Sequence, residues 1–296
     1  MNTLVSIIVP LFNREDLIEE TLLSLLNQTY DNIEIIIIDD HSTDNSFLIA
    51  QKIAKSSTKV RVYKRPSTLK KGANPCRNYG LSIANGDFVK WIDSDDLLDK
   101  NAIEIQLNDI HISKKDVSVC RSKKFEIQKE NSKRKWLNEW GIISNEPSIV
   151  NFCFYKFIWH TCSGLWDIRF VRKNMSWDYE LKNSQEWLFH LEAICKGVKI
   201  STVNEFLSFI RVHEGSMSDK SNKKSNYYYH ECFARYKAIM ILLKQRLTIN
   251  EVYIKIFKKM LWYHLFIFYK GNLFIGFKAL RFYPILFFNL IKLIIT

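Results

Sequence analysis

Apolar positions in the first third of the chain come as short unbroken runs separated by stretches with helical spacing. Val5 to Val9 and Ile33 to Ile38 are rich in Val and Ile and almost uninterrupted, as strands buried on both faces should be. Between them Leu17, Thr21, Leu22 and Leu25 recur on one helical face, with Glu15 and Asp16 in the first turn and Asn13 as the expected cap. The spacing predicts a second helix starting at Ser42 or Thr43 and running to about Lys55, then a third strand over Lys59 to Tyr63. Asn74-Pro75 reads as a cap with proline at the first helical position, and Asn85-Gly86 as that helix's stop. Asp87 to Ile92 is a fourth strand, Asp99 a cap for the helix after it, and Val117 to Cys120 a fifth strand. This alternation predicts an α/β fold, a mostly parallel sheet flanked by helices. Ligands of such sheets bind outside the carboxyl ends of the strands.

Residues 121–180 are less regular. A helix is expected from Ser184 to Cys195, stopped by Gly197, then a strand over Phe206 to Val212 and helices from about residue 225. The expected division is an α/β domain over 1–215 and a basic, aromatic helical tail over 216–296. The first would split into a ligand-binding half (1–110) and a second half (111–215). With 9 Gly and 5 Pro in 296 residues, and 47% hydrophobic residues, the composition excludes a collagen-like or disordered chain. The six cysteines form no CxxC pair, which excludes a ribbon-type zinc site and points to a reducing compartment. No secretory signal fits the N-terminus.

The net charge of +12 is unevenly placed. Residues 211–296 carry 15 Lys and Arg against 4 acids, while the rest is nearly balanced. The basic region is also the oiliest, so lipid suits it better than nucleic acid. Its longest uncharged run, Phe282 to Ile291, has 10 residues, too few for a spanning helix, which needs roughly 18–20. Tyr253, Ile256, Phe257 and Met260 share a helical face, with Lys255 and Lys258 opposite. Two readings fit: a helix lying on an anionic membrane surface, or one packed on its own domain.

Candidate chemistry collects just after the predicted strands. Asp39 and Asp40 follow the second, and Asp93, Asp95 and Asp96 the fourth. Five carboxylates at one edge would repel one another unless a cation joined them. Asp93-Ser94-Asp95 could face one divalent ion and one diphosphate; the plainer alternative is a solvated turn with a helix cap. Pro10 to Glu15 contains no glycine, which excludes a dinucleotide-type GxGxxG turn, and no P-loop is present. A nucleotide would have to be held by Asp39 accepting from a base N–H and by Phe12 packing on a ring. Lys70, Lys71 and Arg77 around a helix N-terminus suit an anion, or Arg77 is an ordinary surface residue.

The run VSIIVPLFNRE…IIIIDDHSTDNS…KGANPCRNYGLSIANGDFVKWIDSDDLLDKN resembles the family 2 inverting glycosyltransferases of the Rossmann-like GT-A fold, over roughly the first 110 residues. The resemblance implies that Pro10, Phe12 and Asp39 surround the base of a nucleotide sugar and that Arg77 contacts the nucleotide or diphosphate. Asp93 would touch ribose or metal, and Asp95 would ligate Mn²⁺ or Mg²⁺. Asn183-Ser184-Gln185-Glu186-Trp187 is similar to the family's acidic catalytic motif, with Glu186 as base where the family usually has Asp. Arg211-Val212-His213 through Ser218 resembles its Arg-x-His-x-x-Ser stretch, which makes His213 a candidate for the diphosphate or metal, or an ordinary structural histidine.

The expected reaction is metal-dependent, inverting transfer of a sugar from a nucleotide-diphosphate donor, a UDP-sugar, to a hydroxyl of a glycan or polyprenyl-diphosphate-linked acceptor in bacterial surface polysaccharide synthesis. The enzyme would be cytoplasmic, peripherally attached to the inner face of the cell membrane. A nucleotidyltransferase acting on a sugar phosphate would release pyrophosphate instead. A non-catalytic scaffold of the same fold would show no transfer. A glycoside hydrolase has no use for the nucleotide features.

Overall fold

The computed structural model describes residues 3–128, 133–144, 146–213, 225–247, 249–269 and 273–284. It divides into two compact units. The first comprises residues 1–145, 157–179 and 198–213, the second 146–156, 180–197 and 214–296. The two units alternate along the chain: residues 146–156 and 180–197, inside the stretch expected as 1–215, cluster with the C-terminal helices.

The first unit is built on one mixed sheet. Strands β1 (Val5–Leu11), β2 (Ile33–Asp39), β3 (Val60–Lys64) and β4 (Phe88–Trp91) are mutually parallel, in the order β3-β2-β1-β4. Every residue of β1, β2 and β4 is buried. Helices α1 (Ile18–Leu26), α2 (Ser46–Ser56) and α3 (Ala73–Ile83) connect them, and a two-residue strand β5 (Leu97–Leu98) leads into α4 (Ala102–Ser113). Leu22 and Leu25 of α1 and Ala50 of α2 bury against Ile7, Val9, Ile35 and Ile37. Each fully buried aliphatic side chain contributes about 1.5–3 kcal/mol. The sheet continues through β6 (Val117–Ile127), its hairpin partner β7 (Arg134–Trp140), β8 (Gly164–Asp167) and β9 (Ile200–Arg211). Its full order is β3-β2-β1-β4-β8-β6-β9-β5. Here β8 runs antiparallel to both neighbours, and β9 lies between β6 and β5.

β1 has β2 on one side and β4 on the other, and strand order reverses at that point. Such a switch opens a crevice beyond the carboxyl ends. Leu11 pairs with Asp39 and Ile8 with Trp91, so the residues after β1, β2 and β4 emerge on one edge. Gly86 permits the close approach of the turn before β4: a Cβ there would meet the Ser6 backbone nitrogen at 2.7 Å.

Four expected helix caps are corrected: besides the three that follow, the cap position of α4 is Asn101, not Asp99, whose Oδ1 accepts the Asn101 N–H at 2.9 Å. α1 starts at Ile18 with no side-chain cap, because Asn13 is spent elsewhere: its Oδ1 accepts the Thr43 N–H at 2.9 Å. α2 starts at Ser46, not Ser42, because the Ser42 hydroxyl accepts the Asn13 N–H and Asp44 receives the Ser46 N–H. In α3, Gly72 occupies the cap position at φ 137°, and Asn74 lies inside the helix, donating to the Asp178 carbonyl at 2.7 Å.

The second unit is helical: α5 (Ile149–Cys153), α7 (Gln185–Cys195), α8 (Ser225–Lys244), α9 (Asn250–Tyr269) and α10 (Leu273–Leu280), with α6 (Ile168–Asn174) belonging to the first. Of the two readings of the Tyr253–Met260 face of α9, packing within its own unit holds. Tyr253, Ile256 and Met260 are buried within the unit. The outward face instead carries Ile254, Lys258, Leu261, Trp262 and Leu265. The helix is apolar on two faces, and among the described residues only one of them packs. Among the described residues no helix is long and apolar enough to cross a membrane. All six cysteines are free thiols.

Candidate active site

The loops beyond β1 and β2 are knitted together by polar side chains. Asp39 is fully buried, and its carboxylate receives the Ser42 N–H at 3.2 and 3.3 Å. Asp40 accepts from Arg65 and from the Gly72 N–H, which fixes the start of α3 against β2. Pro10 is buried within β1, opposite Ile38. Phe12 is 36% exposed, and the Lys71 ammonium lies 3.9 Å from its ring centroid. A planar base stacking on that face would take the place of the lysine.

Arg77 is not a surface residue. It is 3% exposed, donates to Asn74 Oδ1 at 2.8 Å and to Asp93 Oδ1 at 2.7 Å, and lies over the Trp177 ring at 4.6 Å. Trp177 is itself pinned by two hydrogen bonds with the Asn78 side chain. Arg77 therefore orients Asp93 at the mouth of the crevice.

The end of β9 brings a second motif to the same edge. His213 Nε2 lies 2.9 Å from Asp95 Oδ2, and Arg14 Nε donates to that oxygen at 3.0 Å. Arg211 donates its Nε to the Asp95 carbonyl and its backbone N–H to Asp96 Oδ1. Burial opposes the charge on Asp95, but the His213 hydrogen bond and the Arg14 charge outweigh it and hold its pKa below the usual carboxylate range. The neighbouring Asp96 goes the other way: burial, then the charges of Asp95 and Asp93, push its pKa well up. The pKa values of these adjacent acids are thus pushed in opposite directions, a division typical of functional sites. The rest of the expected Arg-x-His-x-x-Ser stretch, Glu214 to Ser218, lies outside the described residues.

A carboxylate oxygen and an imidazole nitrogen 2.9 Å apart suit a divalent ion that takes its remaining ligands from phosphate and water. Asp93 does not join Asp95 and His213 in one three-ligand group, since its carboxylate is turned to Arg77. Such a group does form, among the described residues, from Asp96, His160 and Cys162, where the thiol donates to Asp96 Oδ2 at 3.3 Å. Sequence reading missed Arg14, the partner Arg65 of Asp40, and Trp177. Only Arg14 carried a signal, standing three residues beyond β1.

Glu186 belongs to the second unit. It is half-buried in the first turn of α7, two residues after Ser184.

Residues 6–174 match the family described as Glycosyl transferase family 2. A UDP-Glc:alpha-D-GlcNAc-diphosphoundecaprenol beta-1,3-glucosyltransferase of Escherichia coli is 34% identical over 221 residues, covering 75% of this chain and 82% of the relative. Among solved structures, Staphylococcus aureus TarS (residues 1–349) in complex with UDP-GlcNAc superposes with a TM-score of 0.67. The alignment is 20% identical and covers 86% of this chain and 72% of TarS 1–349. The mannosyltransferase PcManGT of Pyrobaculum calidifontis, in complex with GDP-Man and Mn²⁺, superposes with a TM-score of 0.58. Identity there is 14%, over 94% and 74% of the two chains.

Proposed function

The chain belongs to glycosyltransferase family 2 and has its GT-A fold, and from that premise we propose that it moves a hexose from a UDP-sugar to a hydroxyl of a polyprenyl-diphosphate-linked glycan, with inversion. The observation that carries the reading is the meeting of the Asp93–Asp96 turn and the end of β9 at the crevice, with the Asp95 carboxyl held between Arg14 and His213. The relative from Escherichia coli, whose name gives a UDP-glucose donor and a diphosphoundecaprenol-linked acceptor, supports that choice of substrates.

In this reading Asp39 accepts from an N–H of the base, which stacks on Phe12 beside Pro10, and Asp93, oriented by Arg77, meets the ribose or the metal. Asp95 and His213 would hold Mn²⁺ or Mg²⁺, which when bound would supply positive charge against the departing diphosphate. Glu186 accepts the proton of the acceptor hydroxyl. The hydroxyl oxygen uses its electron pair to bond the anomeric carbon from the face opposite the diphosphate, and the carbon–oxygen bond to UDP breaks. A positioned base contributes about 10²–10⁴-fold. The enzyme would work in the cytoplasm, peripherally attached to the inner face of the membrane through the exposed side of α9.

The test uses purified protein, UDP-glucose, MnCl₂ and GlcNAc-diphosphoundecaprenol, following UDP release and the lipid-linked disaccharide. Glu186→Gln should leave UDP-glucose affinity intact and cut turnover, while Asp95→Asn should abolish the response to Mn²⁺. Equal loss of donor binding and turnover in Glu186→Gln, or an unchanged metal response in Asp95→Asn, would reassign those roles. Release of pyrophosphate in place of UDP would point to nucleotidyl transfer.

A further inference from the structure

The start of α7 is held in an unusual way. Ser184 occupies the cap position, yet its hydroxyl does not cap the helix. Its backbone is left-handed, at φ 52° and ψ 25°, a conformation that residues other than glycine adopt at a cost and that collects at functional sites. The hydroxyl instead donates to Glu231 Oε1 at 2.7 Å and accepts from Arg235 at 2.6 Å. Glu231 and Arg235 lie one turn apart on α8 and form an ion pair at 2.9 Å, with side chains only 5% and 4% exposed.

Arg235 holds more than this one residue. Its second guanidinium nitrogen donates to the Tyr155 hydroxyl at 3.0 Å, and its plane lies 4.3 Å from the centre of the Trp187 ring. Ser184 and Trp187 bracket Gln185 and Glu186, so one guanidinium grips the chain on both sides of the acid. Asn183 and Gln185 are tied as well, to the carbonyls of Tyr227 and Leu181. Burial works against charge on Arg235, but Glu231 foremost, with Tyr155 and Tyr263, outweighs it and raises its pKa. A buried ion pair is a poor source of stability, since well-packed apolar side chains serve as well or better. What this pair supplies is geometry: a planar fork with fixed donors at the helix start.

We propose that Ser184, Glu231 and Arg235 form a clamp that fixes the position of Glu186, which makes Ser184 and Arg235 positioning residues for removal of the acceptor's proton; this rests on the base role given to Glu186 above. Misplacing a reacting group by about 1 Å can cost about 10²-fold in rate. Binding of the donor does not depend on such placement.

The experiment compares Ser184→Gly, Arg235→Lys, Glu186→Gln and the double variant Ser184→Gly/Glu186→Gln, with UDP-glucose, MnCl₂ and GlcNAc-diphosphoundecaprenol. Glycine accepts the left-handed backbone and removes the hydroxymethyl side chain with its contacts to Glu231 and Arg235, so Ser184→Gly breaks the clamp without straining the helix start. We expect kcat to fall about 10- to 100-fold in Ser184→Gly, with the UDP-glucose KM and the Mn²⁺ response within about twofold of wild type. The same hydroxyl removal should cost nothing further in the Glu186→Gln background, because there is no base left to misplace. Wild-type kcat in Ser184→Gly overturns the clamp, as does an equal loss of kcat and donor affinity. So does the same fold-loss in both backgrounds, which marks plain structural damage. Undiminished turnover in Glu186→Gln overturns the base role itself and the clamp with it. An inactive Glu186→Gln beside a fully active Ser184→Gly overturns the clamp alone.

Discussion

Replacing Leu261 and Leu265 by aspartate tests whether the outward face of α9 meets lipid. Ile254, Leu261, Trp262 and Leu265 are 53%, 42%, 45% and 60% exposed. A large apolar side chain gains about 1.5–3 kcal/mol on full burial, so each of these has about 1 kcal/mol left to gain, or about 4 kcal/mol together. Exposed Lys258 adds about 1 kcal/mol near an anionic surface, with lesser help from half-buried Lys255 and Lys259. About 5 kcal/mol is a partition of the order reached by a single myristoyl chain, which is reversible attachment rather than anchorage. The double aspartate variant forfeits about 2 kcal/mol of apolar gain and adds two repelled charges. Its binding should fall more than about 100-fold. The assay is co-sedimentation with vesicles of phosphatidylglycerol and phosphatidylethanolamine at two salt concentrations. Both leucines point outward, so the melting temperature should hardly move. Met260→Ala provides the contrast: Met260 is fully buried, so this variant should lose about 2–5 kcal/mol of stability while its folded fraction still binds vesicles. If the aspartate variant sediments like wild type, lipid does not contact this face.

Acid should weaken the fold through His230. Burial foremost, with the charges of Lys182 and Lys278, depresses its pKa to about 4, and among the described residues Nδ1 has no hydrogen-bond partner. The unfolded chain binds a proton near pH 6.5 that the folded chain refuses until about pH 4, so stability should fall as pH drops across that window, by about 3 kcal/mol at most. His230→Gln should flatten this segment of a pH series of urea melts; an unchanged slope refutes the assignment. At the crevice, Arg14→Gln removes a cation that competes for Asp95 Oδ2. The pair is partly exposed and worth about 1 kcal/mol, so Mn²⁺ should bind the donor-free enzyme about fivefold more tightly by calorimetry. Weaker or equal binding would mean that Arg14 supports the ion site instead.

The parallel half of the sheet was legible because Val5 to Val9 and Ile33 to Ile38 are too apolar for anything but strands covered on both faces. The acids at 39, 93 and 95 were legible because ligand chemistry in such a fold collects after strands. Three of the caps were misread for one shared reason. Asn13, Ser42 and Asn74 are good caps in isolation, but here their hydrogen bonds go to residues distant in sequence. The same non-locality hid Arg65 beside Asp40, Trp177 beneath Arg77, and the pairing of Ser184 with Arg235 across 51 residues. On α9 the periodicity was real but two-sided, and spacing alone does not say which apolar face finds partners.

The interleaving of the two units limits how this protein can be assembled or re-engineered. The chain passes from one unit to the other after residues 145, 156, 179, 197 and 213, so neither is a contiguous cassette. A chimera exchanging the helical part would have to swap three stretches at once. On the ribosome, the sheet cannot close until β9 has emerged to sit between β6 and β5, when about seventy per cent of the chain has been made.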